Sequence, residues 1–189
     1  GSTDYQLVKL DTLVLRAHAD NSASALFREM AIDLNKTPYL NWRWRVENVL
    51  PVANQRLKPG DDYPARVYVV VRTGFFPWQT KALNYVWANY TEGALLKSTG
   101  GAAGSGDSAA TGAVAYWPNP FTENAMMMAV AAGEEGLGQW QQQRVNVVED
   151  FYRVFGERID SADGVAIMTD TDNSGGTATA YYGDIYFSN

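Results

Sequence analysis

Residues 40–47 read LNWRWRVE, and their alternation decides the fold class. Leu40, Trp42, Trp44 and Val46 share one parity, while Arg43, Arg45 and Glu47 occupy the other. Successive side chains leave a strand on opposite faces, so a period of two marks a half-buried β-strand. The apolar parity predicts that Trp42 and Trp44 face a core. The charged parity must then point away from it.

The same pattern extends in both directions. Residues 12–19 (TLVLRAHA) place Leu13, Leu15, Ala17 and Ala19 on one face and Arg16 and His18 on the other. Residues 5–10 read as a partner strand, with Asp11 near the turn. Residues 65–72, 83–89, 125–131, 139–147, 165–170 and 179–187 supply further strands. Clusters such as Pro59-Gly60-Asp61-Asp62, Gly133-Glu134-Glu135-Gly136 and Asn173-Ser174-Gly175-Gly176 separate them as turns. One helix is predicted over 148–155, where Val148, Phe151 and Phe155 recur at helical spacing, Glu149 and Asp150 occupy the first turn, and Gly156 stops it. Residues 33–39 add a turn broken at Pro38. The small, polar stretch 98–113 (STGGAAGSGDSAATGA) reads as a mobile surface loop inside a single domain spanning 1–189.

Many short strands with alternating faces predict an all-β sandwich or barrel. The order of the last elements favours the sandwich: Trp140 leads a strand, a short helix follows, then an apolar strand, a loop and an aromatic strand. This order resembles the second half of antiparallel jelly-roll β-sandwiches of the galactose-binding-like and carbohydrate-binding-module type, with one short helix.

Composition narrows the chemistry. The chain has 189 residues, no cysteine, one histidine and a formal net charge of −6. It therefore has no thiol nucleophile, no cysteine–zinc site and no site needing two imidazoles. A net acidic chain without a basic stripe argues against a nucleic-acid partner. No stretch approaches the roughly 20 apolar residues of a membrane helix.

Four segments carry a closer likeness: 42–51 (WRWRVENVLP), 60–71 (GDDYPARVYVVV), 83–89 (LNYVWAN) and 164–184 (GVAIMTDTDNSGGTATAYYGD). They resemble the bacterial domain-of-unknown-function family 3047, as do 22–34 (SASALFREMAIDL) and 137–156 (LGQWQQQRVNVVEDFYRVFG). The resemblance implies a carbohydrate-binding type of jelly roll and an exported protein, periplasmic or extracellular, whose signal peptide has been removed. The glycine-rich stretch 98–113 departs from the family's compact loop and reads as an insertion. The family has no assigned activity, so the resemblance assigns no catalytic residue.

Candidate site residues follow from parity. If strand 40–47 pairs with strand 65–72, Arg43, Arg45, Arg66 and Tyr68 share one polar surface, with Glu47, Asp61 and Asp62 as neighbouring acids. That surface is either a salt-bridge lattice or a concave face for a glycan or other polar ligand, since guanidinium forks match carboxylates and diols. Tyr85 and Trp87 share an aromatic face that serves either a core or a sugar platform. The loop Asp170-Thr171-Asp172-Asn173-Ser174-Gly175 has oxygen ligands at positions one, three and five and glycine at six, as calcium loops do, but Tyr181 stands where an EF-hand needs glutamate. It is either an Asx-rich turn that also borders the ligand through Asp170 and Asp172, or a structural calcium site of Asp170, Asp172 and a distant acid such as Asp184. His18 stands alone, and no nucleophile elbow accompanies it. The expected function is a non-catalytic carbohydrate-binding module. The alternatives are a polysaccharide lyase or glycosidase acting on an acidic polysaccharide, and an envelope structural or interaction protein.

Overall fold

The computed structural model describes residues 1–74, 76, 79–91 and 115–189. The glycine-rich stretch 98–113 lies outside the described residues. Eleven strands appear among the described residues: β1 Asp4–Lys9, β2 Leu13–Asp20, β3 Ala23–Asp33, β4 Tyr39–Val46, β5 Ala65–Arg72, β6 Thr80–Ala88, β7 Tyr116–Asn119, β8 Thr122–Ala132, β9 Gln141–Asn146, β10 Ser161–Asp170 and β11 Thr177–Ser188. They form two sheets, one ordered β1-β2-β11-β4-β9 and the other β3-β10-β5-β6-β8-β7. The molecule is all-β, with one α-helix, α1 Val147–Phe155, among the described residues.

Two expectations change. Among the described residues, pairing is antiparallel except that β6 and β8 run parallel. More consequentially, β4 and β5 do not pair: β4 lies between β11 and β9 in one sheet, and β5 between β10 and β6 in the other. The connection from β4 to β5, residues 47–64, crosses between sheets, and sequence order gave no sign of that.

The core is an aromatic layer between the sheets. Trp42 and Trp44 from β4 meet edge to face at 5.3 Å; Trp42 packs on Tyr85 of β6 at 5.5 Å, and Trp44 on Trp87 at 6.0 Å. Val67, Val69 and Ile167 fill the space beside them. Burying one such ring stabilises the fold by about 1.5–3 kcal/mol. The apolar parity read from residues 40–47 is therefore the interior parity.

Helix α1 starts and stops as its sequence predicts. The Asn146 side chain accepts a hydrogen bond from the Glu149 amide, and Gly156 ends the helix in the left-handed region at φ 70°. Val147 and Phe151 join the core. Asp150 is buried with them and accepts a hydrogen bond from the Tyr85 hydroxyl at 3.1 Å.

Candidate functional site

The outer face of the five-stranded sheet gathers arginines and aromatics in rows. Tyr181 on β11 lies in register with Arg16 of β2 on one side and Arg45 of β4 on the other. The Arg45 guanidinium sits 5.5 Å from the Tyr181 ring centre and that of Arg43 4.4 Å from the ring of Trp140, while the two rings are 6.5 Å apart. Arg144 of β9, on the same face, lies over Tyr39 at 3.5 Å. Stacking a guanidinium on a ring holds it flat and leaves its N–H edge free for planar partners.

Acids tether this face unequally. Arg43 is held by Asp184 (Nε to Oδ2, 2.5 Å), by Asp11 (Nη1 to Oδ2, 3.2 Å) and by the Thr12 hydroxyl, and its side chain is only 11% exposed. Gly183 stands opposite Arg43 in register, and a Cβ there would lie 3.2 Å from the Arg43 Nε. The missing side chain lets Arg43 fold down against the sheet. Arg45 is tied through Nε to Glu47 at 2.6 Å and is 33% exposed. Its two Nη groups have no hydrogen-bond partner among the described residues. His18 shares the face, with Nδ1 2.8 Å from the Thr179 hydroxyl.

Arg66 and Tyr68 belong to the other sheet, on its outer face, so the surface expected to combine them with Arg43 and Arg45 does not form. Nor is Arg66 exposed. It is buried, its Nε donates to Asp170 Oδ1 at 2.8 Å, and its Nη2 reaches Asp170 Oδ2 and the Asp61 carbonyl, the latter at 2.7 Å. The Tyr63 ring covers the guanidinium at 4.6 Å. Parity correctly turned Arg66 away from the inter-sheet core, but the segments around Asp61–Tyr63 and Asp170 seal it on the far side. Tyr68 is half-buried beside this pair, and burial raises its phenol's pKa.

Tyr85 and Trp87 are fully buried against the β4 tryptophans, so in this structure neither ring meets a ligand. Their parity faces the opposite sheet. The Trp87 Nε1 donates to the Gly133 carbonyl at 3.0 Å.

The Asp170 loop is organised around a carboxylate that sequence reading named only as a counter-ion. Asp62 Oδ1 accepts from the Asn173 amide at 3.2 Å and from its side chain at 3.0 Å, while Oδ2 accepts from the Ser174 amide at 2.5 Å. Carboxylate oxygens of Asp62, Asp170 and Asp172 lie within 4.8 Å of one another, the set that could approach a cation. Asp184 is not among them: it pairs with Arg43 on the other sheet, which corrects the expected trio. Asp61 is buried too, with Oδ2 accepting from Asn119 at 2.8 Å and Oδ1 without a hydrogen-bond partner among the described residues. Around one guanidinium the cluster holds a surplus of negative charge. Burial raises Asp61, and burial together with the neighbouring Asp62 pushes Asp170 up to about 7.

Against this geometry, the family model described as "Protein of unknown function (DUF3047)" matches residues 1–99 and 107–186. The chain belongs to DUF3047. A comparison with curated proteins gave no match. The internal gap in the match of this DUF3047 chain, 100–106, falls inside the glycine-rich stretch.

Sequence reading missed Trp140, Tyr181, Arg16 and Arg144 as members of a DUF3047 surface. Tyr181 carried a usable signal, because it alternates with Ala180 and Tyr182, which are buried. Trp140 precedes β9 and no alternation assigned its face.

Proposed function

We propose that this DUF3047 domain is a non-catalytic binding module with a jelly-roll-type sandwich, and that it recognises a glycan on the outer face of its five-stranded sheet. The observation that carries this reading is the row Arg16–Tyr181–Arg45 beside the Arg43–Trp140 stack. Sugar rings offer apolar C–H patches to aromatic faces and hydroxyls to guanidinium edges, and here strands present Arg16, Tyr181, Arg43 and Arg45 while Trp140 stands just before β9. Pre-stacked arginines lose little side-chain freedom on binding, which favours affinity. The β4–β5 and β10–β11 crossings between sheets support the jelly-roll assignment.

A binding role suits the carboxylates better than hydrolysis or elimination. The acids with raised pKa, Asp61, Asp150 and Asp170, are buried and engaged with Asn119, Tyr85 and Arg66 respectively. A catalytic acid needs the same shift beside an open cleft. An exported, periplasmic or extracellular, location fits a glycan ligand. A glycan-array screen of the wild-type protein beside Trp140→Ala and Arg45→Ala tests the proposal. Hits that both variants lose support it, and an array without hits, or hits indifferent to both variants, contradicts it.

A further inference from the structure

A second feature lies between the sheets, away from the arginine–aromatic face. A groove of about 520 Å³ runs along the side where β3 and β10 face β2 and the end of β11. Its walls are Leu15, Leu26, Met30, Ile32, Ile167 and Phe187. Its size falls within the range of pockets that enclose small organic ligands. Leu26, Met30 and Ile185 are exposed along it, and a row of exposed large apolar side chains marks a binding surface more often than an idle one.

Two irregularities shape the groove. The β11 register slips between Gly183 and Tyr186, with Asp184 in the left-handed region at φ 52°, and this slip turns Ile185 toward the groove. On the opposite wall, β10 slips against β3 between Ala162 and Gly164. Bulges of this kind bend a strand and re-aim its side chains. Both irregularities lie in strands that wall the groove.

The groove also contains a cation. Leu26 and Arg28 pair with Ile167 and Val165, whose side chains face the core, so Arg28 shares the inward parity of β3. The acids nearest along that strand are committed elsewhere: Glu29 to Arg72 at 2.9 Å and Asp33 to Lys36 at 3.1 Å. The Arg28 side chain has no ion pair or hydrogen bond among the described residues. An arginine flanked by Leu26 and Met30 on the apolar side of a strand can lay its stem over the groove and hold its head at the rim.

We propose that this groove binds a fatty acid, its acyl chain between the sheets and its carboxylate on the Arg28 guanidinium. An apolar groove selects the chain, the bidentate fork selects a carboxylate, and the two together exclude a neutral or cationic amphiphile. The inference is independent of the glycan face, and its ligand and its variants are different.

The test is calorimetric titration of the full chain with dodecanoate below its micellar concentration, beside dodecyltrimethylammonium, which has the same tail and the opposite charge. The expected result is saturable binding of one dodecanoate per chain and none of the ammonium compound. Arg28→Ala should weaken dodecanoate binding about tenfold or more, the scale of one charged hydrogen-bonded contact. Ile167→Ala should also weaken it, with circular dichroism confirming the fold. Equal binding of the two amphiphiles, or wild-type affinity in Arg28→Ala, overturns the proposal. So does sedimentation showing self-association that Leu26→Asp abolishes and dodecanoate leaves unchanged, because a second copy would then occupy the groove.

Discussion

Arg66 and Asp170 form a two-pronged ion pair, Nε to Oδ1 at 2.8 Å, in which both side chains are shut off from solvent. It joins β5 to the end of β10 and, through the Asp61 carbonyl, to the loop before β5. Removing one partner of such a pair strands a buried charge. Arg66→Ala should therefore lower unfolding stability by about 3–5 kcal/mol, measured by urea denaturation. Arg66→Met combined with Asp170→Leu should recover part of that loss. A change below about 1 kcal/mol for Arg66→Ala would mean that the guanidinium is not buried as described.

Two acids of this cluster and one on α1 set a pH dependence. Asp61, Asp150 and Asp170 are raised above the ordinary carboxylate range, in each case chiefly by burial. In the unfolded chain these groups release their protons near pH 4. Between about pH 4 and 7 the native state thus binds more protons than the unfolded state, and stability falls as pH rises through that window. The melting temperature should be higher at pH 5 than at pH 7.5, and Asp170→Asn should flatten the slope. A melting temperature that climbs from pH 5 to 7.5 would show that these carboxylates are ionised more easily in the folded protein.

Around the Asp170 loop, the amides of Asn173 and Ser174 turn toward the Asp62 carboxylate. Asp62 serves there as an internal cap, so Asp62→Ala should cost about 1–2 kcal/mol, as the loss of a cap does. Calcium and excess chelator should give the same melting curve for the wild-type protein. A melting temperature that rises with calcium and falls with chelator would establish a cation site at Asp62, Asp170 and Asp172 instead.

How far the sequence carries can be seen strand by strand. Clean alternation in 40–47 identified β4 and its buried tryptophans, and the same rule placed β2, β5 and β11. It failed on β3, whose residues Leu26, Phe27, Arg28, Glu29 and Met30 show no two-residue period because Arg28 occupies an inward position. Parity told which way Arg43, Arg45 and Arg66 point but not which sheet holds them. Sheet membership depends on long-range pairing: β4 meets β11 across more than a hundred residues. The Arg66–Asp170 contact was legible only as nearness. Its burial comes from loop packing, which leaves no periodic trace.

Gly183 offers a gentler perturbation of the proposed face. A methyl group there would press on the Arg43 Nε at 3.2 Å and on Val14 at 3.3 Å. Gly183→Ala should tilt Arg43 off Trp140, weakening glycan binding several-fold while costing about 1 kcal/mol of stability, within the range of mild overpacking. Fluorescence of the tryptophans during titration follows both effects. Unaltered affinity would place Arg43 outside the ligand's reach.

The most direct test of the glycan-binding account is an equilibrium titration of the strongest array glycan against wild-type protein, Trp140→Ala, Arg45→Ala and Arg28→Ala. Trp140→Ala and Arg45→Ala should each weaken binding by about 1–3 kcal/mol, the cost of losing an aromatic platform or a charged hydrogen-bond donor, with melting temperatures close to that of the wild type. Arg28→Ala, in the inter-sheet groove, should bind as the wild type does. Wild-type affinity in both Trp140→Ala and Arg45→Ala would contradict the account and remove the glycan site from this face.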